Sequence, residues 1–250
     1  MSTIDTQLTA HCQRLRLPYL RDHAIEEATA AARKGISHLD FLADLLAGQV
    51  TQTETRAIER RIAAARFPTI KTLDTFDWTH PKIDRAHVQS LFQLRFIADP
   101  PSNVVFLGGC GLGKTHLATA LGHHACTQGH RVHFTSAIGI INHLSAAVAT
   151  NSLAKAMARY TKPPVLVIDE LGYLPIKREG ADLLFQVISA RYERGPIILT
   201  SNRAFKDWAV TFDNDAVLAS ALLDRLLHRC EVIVINAGES GRSYRDPLLD

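Results

Sequence analysis

Apolar residues recur in short, nearly continuous runs over the second two-thirds of the chain. Most of these runs are rich in β-branched residues, as expected for strands that are buried on both faces. Five such runs occur, at residues 102–108, 131–135, 164–169, 196–200 and 231–235. The pattern therefore predicts a five-stranded parallel sheet.

The segments between these strands have the spacing of amphipathic helices. Apolar positions recur at intervals of three and four residues, which places them on one helix face. The predicted helices cover residues 115–128, 137–160, 180–194 and 217–228. Strands that alternate with helices predict an α/β fold, in which helices cover the sheet.

The first 66 residues lack such strands and are rich in helical patterns. One predicted helix carries Leu8, Cys12 and Leu15 and ends before Pro18, and a second begins at 37–40. A third predicted helix runs from Thr51 to Arg66. We therefore predict a small helical domain over residues 1–66, for self-association or for contact with a partner or DNA. An irregular joint over 67–85 opens the second domain, which covers 67–250.

Composition narrows the class of protein. The chain has 250 residues and a formal net charge of +3, which excludes a histone-like polycation and an acidic disordered tail. The sequence has no apolar run of transmembrane length and no apolar segment typical of a signal peptide. Its four cysteines are far apart, which favours reduced thiols in the cytoplasm.

A glycine-rich segment follows the first predicted strand and opens a helix. It fits the phosphate-binding pattern GxxxxGK[ST], whose backbone N–H groups surround a phosphate. Lys114 is placed to reach the phosphate oxygens, and Thr115 to coordinate Mg²⁺. The segment consists of Gly108, Gly109, Cys110, Gly111, Leu112, Gly113, Lys114 and Thr115.

Polar residues end the third and fourth predicted strands. Asp169 and Glu170 follow an apolar run, and buried carboxylates of this kind are costly unless they meet a cation. Asp169 is suited to the Mg²⁺ shell and Glu170 to orienting an attacking water. Asn202, after the next strand, can hold the same water. Together with the glycine-rich segment, these residues predict hydrolysis of a nucleoside triphosphate.

These motifs together resemble those of the IstB-like helper ATPases of insertion sequences and, less closely, the helicase loader DnaC, both in the AAA+ initiator clade. The resemblance covers roughly residues 55–250. It rests on 108–118, on Ile168–Pro175, on Thr200–Asn202, on Leu222–His228, and on Gly238–Ser240 with Ser243–Arg245.

The resemblance implies an ATPase with a role for each matching residue. Lys114 and Thr115 match the phosphate and Mg²⁺ ligands, and His116 directly follows them. Asp169 matches the Mg²⁺-associated acid, Glu170 the catalytic acid, Asn202 the sensor 1 residue and Arg225 an arginine finger acting on a neighbouring subunit. Arg245 matches a sensor 2 arginine, with Arg242 as the alternative register. About 15 residues follow the last strand, so we expect little or no helical lid and ATP sites between subunits of a homo-oligomer.

One stretch of the chain is suited to DNA. No Asp or Glu occurs between Asp99 and Asp169. Within it, Lys155, Arg159 and Lys162 have the spacing of one helix stripe. Such cations meet backbone phosphates without reading bases, so we predict salt-sensitive, largely sequence-independent duplex binding. Lys177 and Arg178 are a second candidate contact.

The leading function is an ATP-dependent regulator of transposition. It would assemble on duplex DNA with ATP, remodel or mark the target for a cognate transposase, and disassemble on hydrolysis. A DnaC-like helicase loader is the alternative, and a neighbouring transposase gene would discriminate against it. A small-molecule P-loop kinase would need an Arg-rich lid, and a non-hydrolysing DNA scaffold would not need Asp169 and Glu170.

Overall fold

The computed structural model describes residues 3–237 and divides the chain into two compact units between Arg60 and Arg61. The division falls inside a helix that ends near residue 66, and our assignment of domains at 1–66 and 67–250 stays a prediction. Arg242, Arg245 and the Gly238–Ser240 segment lie outside the described residues.

The N-terminal segment is helical, as predicted, but it contains a longer helix than expected. Its helices are α1 (Thr3–Leu15), α2 (Pro18–Lys34) and α3 (His38–Ala65). The two helices predicted around 37–46 and 51–66 are one helix of 28 residues, because no strong helix breaker separates them. Neither α3 nor any other helix within residues 3–237 is long and apolar enough to cross a membrane.

Gly48 allows α3 to pack closely against α2 in the first unit. A Cβ atom at this position would lie 2.2 Å from Cε1 of Tyr19. The Tyr19 backbone N–H also donates to Oε1 of Gln49, at 3.0 Å. A glycine inside a helix costs about 1 kcal/mol relative to alanine, and here it makes room for an aromatic ring.

The second unit contains a six-stranded sheet. Its strands are β1 (Pro81–Lys82), β2 (Asn103–Gly108), β3 (Val132–Ser136), β4 (Val165–Leu171), β5 (Ile197–Ser201) and β6 (Cys230–Ala237). The order across the sheet is β1-β6-β2-β5-β4-β3, and β1 pairs antiparallel with β6. All other pairs are parallel, which confirms the five predicted parallel strands.

Seven α-helices follow α3 within the described residues of this unit. They are α4 (Arg85–Leu91), α5 (Lys114–Thr127), α6 (Ala137–Ala149), α7 (Leu153–Thr161), α8 (Arg178–Arg191) and α10 (Ala216–Leu227), with the four-residue α9 (Trp208–Thr211) before α10. The single helix predicted over 137–160 was wrong, because the chain turns at Asn151, whose φ is 49°. The edge strand β1 was also missed, because two residues that include a proline carry no strand pattern.

Alternating side chains of the strands build one apolar core on each face of the sheet. On β2, Val105 and Leu107 pack in the core that contains residues from α6, α8 and α10. Val104 and Phe106 point to the other face and pack with residues of α5 and of the segment before β2. Helices therefore cover both faces of the parallel strands, and polar residues after β2, β4 and β5 meet at the carboxyl edge of the sheet.

Candidate active site

The glycine-rich segment forms the loop between β2 and α5. Gly113 caps α5 in the left-handed region, with φ 85°, which favours glycine. At Gly108, a Cβ atom would lie 2.2 Å from the carbonyl oxygen of Ile235 on the adjacent strand, so close backbone approach also requires glycine there. The loop leads directly into the N-terminus of α5, a position that stabilises an anion.

Lys114 and Thr115 begin α5 and lie beside this loop. The Lys114 side chain is 8% exposed, and its Nζ donates to the carbonyl oxygen of Gly109 at 2.6 Å. The Thr115 hydroxyl donates to Oδ1 of Asp169 at 2.9 Å. The structure therefore brings the predicted phosphate ligand and both predicted Mg²⁺ ligands to the same loop.

Glu170 follows Asp169 at the end of β4 and has an unusual backbone. Its φ is 60°, in the left-handed region that non-glycine residues rarely adopt. Its backbone N–H donates to the hydroxyl of Thr200 on β5, at 2.9 Å. The Asp169 side chain is buried, whereas Glu170 is exposed toward the cavity described next.

A cavity of about 570 Å³ lies over these residues. Its volume is within the range of small-molecule and cofactor sites, about 300–1,000 Å³. One wall contains Cys110, Gly111, Gly113, Lys114, Thr115, His116 and Thr119; another contains Glu170, Tyr173, Thr200 and Asn202. The cavity therefore joins the phosphate loop to the predicted catalytic acid and sensor residue.

Asn202 contributes polar atoms to this cavity. Its Nδ2 lies 3.8 Å from Sγ of Cys110 in the phosphate loop. Its Oδ1 is buried and has no hydrogen-bond partner within residues 3–237. A buried amide oxygen without a partner is costly unless a ligand or water satisfies it, so this atom fits a water or ligand held in the cavity.

The segment before the sheet supplies a wall that the sequence analysis missed. Pro68, Thr69, Lys71, Thr75 and Asp77 line the cavity. They lie in the predicted irregular joint, where no periodic pattern or motif distinguishes ligand-facing positions. Tertiary packing alone brings this segment to the cavity.

His116 connects that wall to α5. Its Nε2 donates to the carbonyl oxygen of Thr72 at 2.9 Å, and its ring packs edge-on against Phe76. Burial lowers the pKa of His116 below its ordinary value, so the ring is neutral near pH 7. The residue that follows the phosphate loop in sequence therefore holds the joint segment in place.

The chemistry of the donors fits a nucleoside triphosphate with a divalent cation. A hydroxyl from Thr115 and a carboxylate from Asp169 are the hard oxygen ligands that Mg²⁺ prefers. Lys114 supplies a positive charge beside the loop, where phosphate oxygens would lie. Glu170 and Asn202 line the same cavity.

Arg225 lies away from this site. It is half-buried on α10, with its guanidinium 4.6 Å from the ring centre of Phe185 and its Nη1 donating to the Ala221 carbonyl. It lines a small cavity with Asn103 and Ile197, which begin β2 and β5. The phosphate loop is at the opposite end of those strands, so Arg225 does not reach the site of its own chain.

The predicted DNA contacts differ in how freely they face solvent. Lys155 on α7 and Lys162 just after it are exposed, whereas Arg159 is half-buried and donates from Nε to Nε2 of His133 at 3.3 Å. Burial, together with the Arg159 charge, lowers the pKa of His133 to about 4, so this ring is a neutral acceptor. Lys177 and Arg178, at the start of α8, are exposed.

The sequence is similar to those of insertion-sequence proteins. The chain is 41% identical over 236 residues to the putative ATP-binding protein of insertion sequence IS5376 from Geobacillus stearothermophilus, covering 94% of this chain and 92% of that protein. It is also 41% identical to the putative ATP-binding protein of IS21 from Pseudomonas aeruginosa, covering 96% and 88%.

Solved AAA+ structures share the fold. The structure of DnaI has a TM-score of 0.56 at 20% identity, covering 66% of this chain and 90% of that chain. The DnaC helicase loader has a TM-score of 0.50 at 26% identity, covering 70% and 98%. The family described as IstB-like ATP binding protein matches residues 10–246. Because this match covers most of the chain, the chain belongs to the IstB-like family of insertion-sequence ATP-binding proteins.

Proposed function

We propose that this chain is a Mg²⁺-dependent ATPase that assembles on duplex DNA and regulates the use of a target by a transposase. The observation that carries the proposal is the meeting of Glu170 and Asn202 with the phosphate loop at one cavity. A protein that only binds nucleotide needs the loop, whereas hydrolysis also needs groups that hold a water.

Each residue of the site has a distinct task in this proposal. The loop N–H groups and Lys114 hold the phosphates, and Thr115 and Asp169 hold Mg²⁺, which neutralises phosphate charge when bound. Glu170 accepts a hydrogen bond from the attacking water and orients it toward the terminal phosphate. Asn202 offers its amide to the same water. These groups are positioned before the reaction, so their reorganisation does not slow it.

Hydrolysis requires more than one subunit in this scheme. Arg225 lies at the end of the strands opposite to its own chain's phosphate loop. A guanidinium stabilises charge on a transferring phosphoryl group only in direct contact with it. Arg225 would therefore complete the site of a neighbouring subunit, and assembly on DNA would raise the rate of hydrolysis. Hydrolysis would then take the assembly apart.

The charge of the region around α7 supports the proposed binding of DNA there. The described structure places Lys155 and Lys162 in solvent on a stretch of chain that has no acidic residue between Asp99 and Asp169. Contacts of lysine with phosphate are independent of base sequence and weaken with salt. Lys177 and Arg178 begin α8 a few residues after Glu170, so a phosphate bound there would lie close in sequence to the catalytic acid.

The relatives' names support a role in transposition. Both similar proteins named above are described as insertion-sequence ATP-binding proteins. We infer from this a cognate transposase as the partner. The fold shared with the DnaC helicase loader supports loading of a helicase as the second candidate.

Steady-state ATP hydrolysis with and without DNA tests the proposal. Long duplex DNA is expected to stimulate hydrolysis, because assembly brings Arg225 of one subunit to the site of the next. Stimulation by single strands alone would favour the helicase-loader function. Hydrolysis that DNA leaves unchanged, under conditions where the protein binds duplex, would contradict the coupling of assembly to turnover.

Replacing Lys155 and Lys162 together by alanine is expected to weaken duplex binding without changing ATP affinity. Each removed cation lowers the salt dependence of binding, log K against log[salt], by about one. Fluorescence anisotropy with a labelled duplex at several salt concentrations measures both quantities.

The double replacement of Lys82 and Lys206 by alanine is a charge-matched control outside this stripe, because both lysines are exposed and neither lines the large cavity. An unchanged slope in the Lys155/Lys162 variant would show that DNA binds elsewhere on the protein. An equal loss in both variants would indicate that net charge, and not the stripe, determines affinity.

A further inference from the structure

Thr200 occupies the centre of the polar network at the carboxyl edge of the sheet. It is the fourth residue of β5 and is 1% exposed. Its hydroxyl donates to Oδ1 of Asp169, the same oxygen that accepts from Thr115, and it accepts the backbone N–H of Glu170 at 2.9 Å. One hydroxyl therefore contacts both acidic residues of the site.

The sheet pairing explains why Glu170 needs this contact. Ile168 pairs with Leu199, and pairing resumes between Leu171 and Ser201, with a register shift between the two pairs. Two residues of β4, Asp169 and Glu170, thus face one residue of β5. This two-to-one pairing is a β-bulge. Because of the bulge, the Glu170 N–H does not take part in the backbone hydrogen bonds between β4 and β5. It donates instead to the side-chain hydroxyl of Thr200.

The same bulge directs the catalytic acid into the cavity. In a regular strand, successive side chains alternate between the two faces of the sheet. With a φ of 60°, Glu170 leaves this alternation, and its side chain reaches the cavity wall. A left-handed backbone is strained for a non-glycine residue, so the conformation persists only if neighbouring contacts hold it.

We infer that Thr200 is a positioning residue for hydrolysis: its hydroxyl holds the Glu170 backbone in the bulge and fixes Asp169 toward Thr115. This inference rests on the proposed ATPase function and deepens it. Thr200 holds Glu170, on β4, to β5, the strand that directly precedes Asn202. Glu170 and Asn202, the two groups proposed to hold the water, therefore keep a fixed separation.

The isosteric change Thr200→Val removes the hydroxyl while keeping the side-chain shape. It leaves the Glu170 N–H and one Asp169 oxygen without this partner, and the bulge can then relax. A displacement of about 1 Å at a catalytic group can cost about 100-fold in rate. We therefore expect kcat to fall about 30- to 100-fold. The Kd for a fluorescent ADP analogue should change less than about threefold, because the phosphate loop is untouched.

Two further variants separate positioning from folding. Thr200→Ser keeps the hydroxyl and should recover kcat to within about threefold of the wild type. Thr211→Val is the matched control, since Thr211 is also buried but its hydroxyl has no partner within residues 3–237. This control should leave kcat unchanged. Turnover per folded molecule, with the melting temperature of each variant, is measured on the full chain with duplex DNA.

The outcomes distinguish this inference from the proposed function. Glu170→Gln is assayed in parallel, and an inactive Glu170 variant beside a Thr200→Val variant of normal kcat would overturn the positioning role alone. Equal losses in Thr200→Val and Thr200→Ser would also overturn it. A wild-type chain that does not hydrolyse ATP, or an active Glu170→Gln variant, would overturn the proposed function and this inference with it.

Discussion

Glu170→Gln is expected to lower ATP turnover by about 10²–10⁴-fold, the usual contribution of a general base. Glutamine keeps the size of the side chain but cannot accept a proton or attract the water as a carboxylate does. The phosphate loop, Lys114 and Thr115 are unchanged, so ATP affinity should stay within about threefold of the wild type. The variant should therefore remain on duplex DNA with ATP much longer than the wild type does.

Two measurements on the same preparation check this result. Phosphate release gives turnover, and dissociation of a labelled duplex after dilution gives residence time. Glu193→Gln is the control, because Glu193 is an exposed residue that does not line the large cavity. Near-normal turnover in Glu170→Gln would show that another group orients the water.

Arg191→Met is expected to lower the free energy of unfolding by about 3 kcal/mol or more, because it leaves several backbone carbonyls without donors and each unsatisfied buried acceptor costs about 1–3 kcal/mol. Arg191 is 3% exposed and lies at the end of α8. Its Nη1 and Nη2 atoms donate to four backbone carbonyls, each at 2.9 Å: those of Tyr160, Pro163, Pro164 and Pro196. Prolines lack an N–H but keep their carbonyls, which need donors when buried.

Those four carbonyls lie at the end of α7, in the turn between α7 and β4, and in the residue before β5. Arg191 therefore holds together the starts of β4, which contains Asp169, and of β5, which precedes Asn202. Burial lowers the pKa of Arg191 to about 10, so the guanidinium stays protonated at pH 7 and donates all these bonds. Methionine fills similar space but offers no donors.

Urea denaturation, followed by circular dichroism, measures the decrease in the free energy of unfolding. Arg194→Met is the matched control, because Arg194 is exposed on the turn that follows α8 and should change stability by less than about 0.5 kcal/mol. Arg191→Lys should fall between the two, since an ammonium has three donors without the planar geometry of the guanidinium. Equal stability of the Arg191→Met and Arg194→Met variants would contradict the assigned role of the four hydrogen bonds.

Most of the fold could be predicted from local patterns along the chain. The five parallel strands were predictable because strands buried on both faces are continuous apolar runs. The phosphate loop was predictable because its chemistry needs adjacent residues, from Gly108 to Thr115. Asp169, Glu170 and Asn202 were recognisable as polar residues directly after apolar strands. Errors arose where the pattern is weak, as at β1 and at the turn in the helix predicted over 137–160.

Sequence alone determined the class of fold, the family and the residues that meet phosphate, since each depends on periodicity or on neighbours along the chain. Tertiary structure decided the contacts between distant segments. It placed residues 68–77 on the cavity wall and Arg225 at the far end of the strands, and it turned Arg159 toward His133. It also showed that Thr200 holds both acids, because a β-bulge depends on the register between two strands, which neither strand specifies by itself.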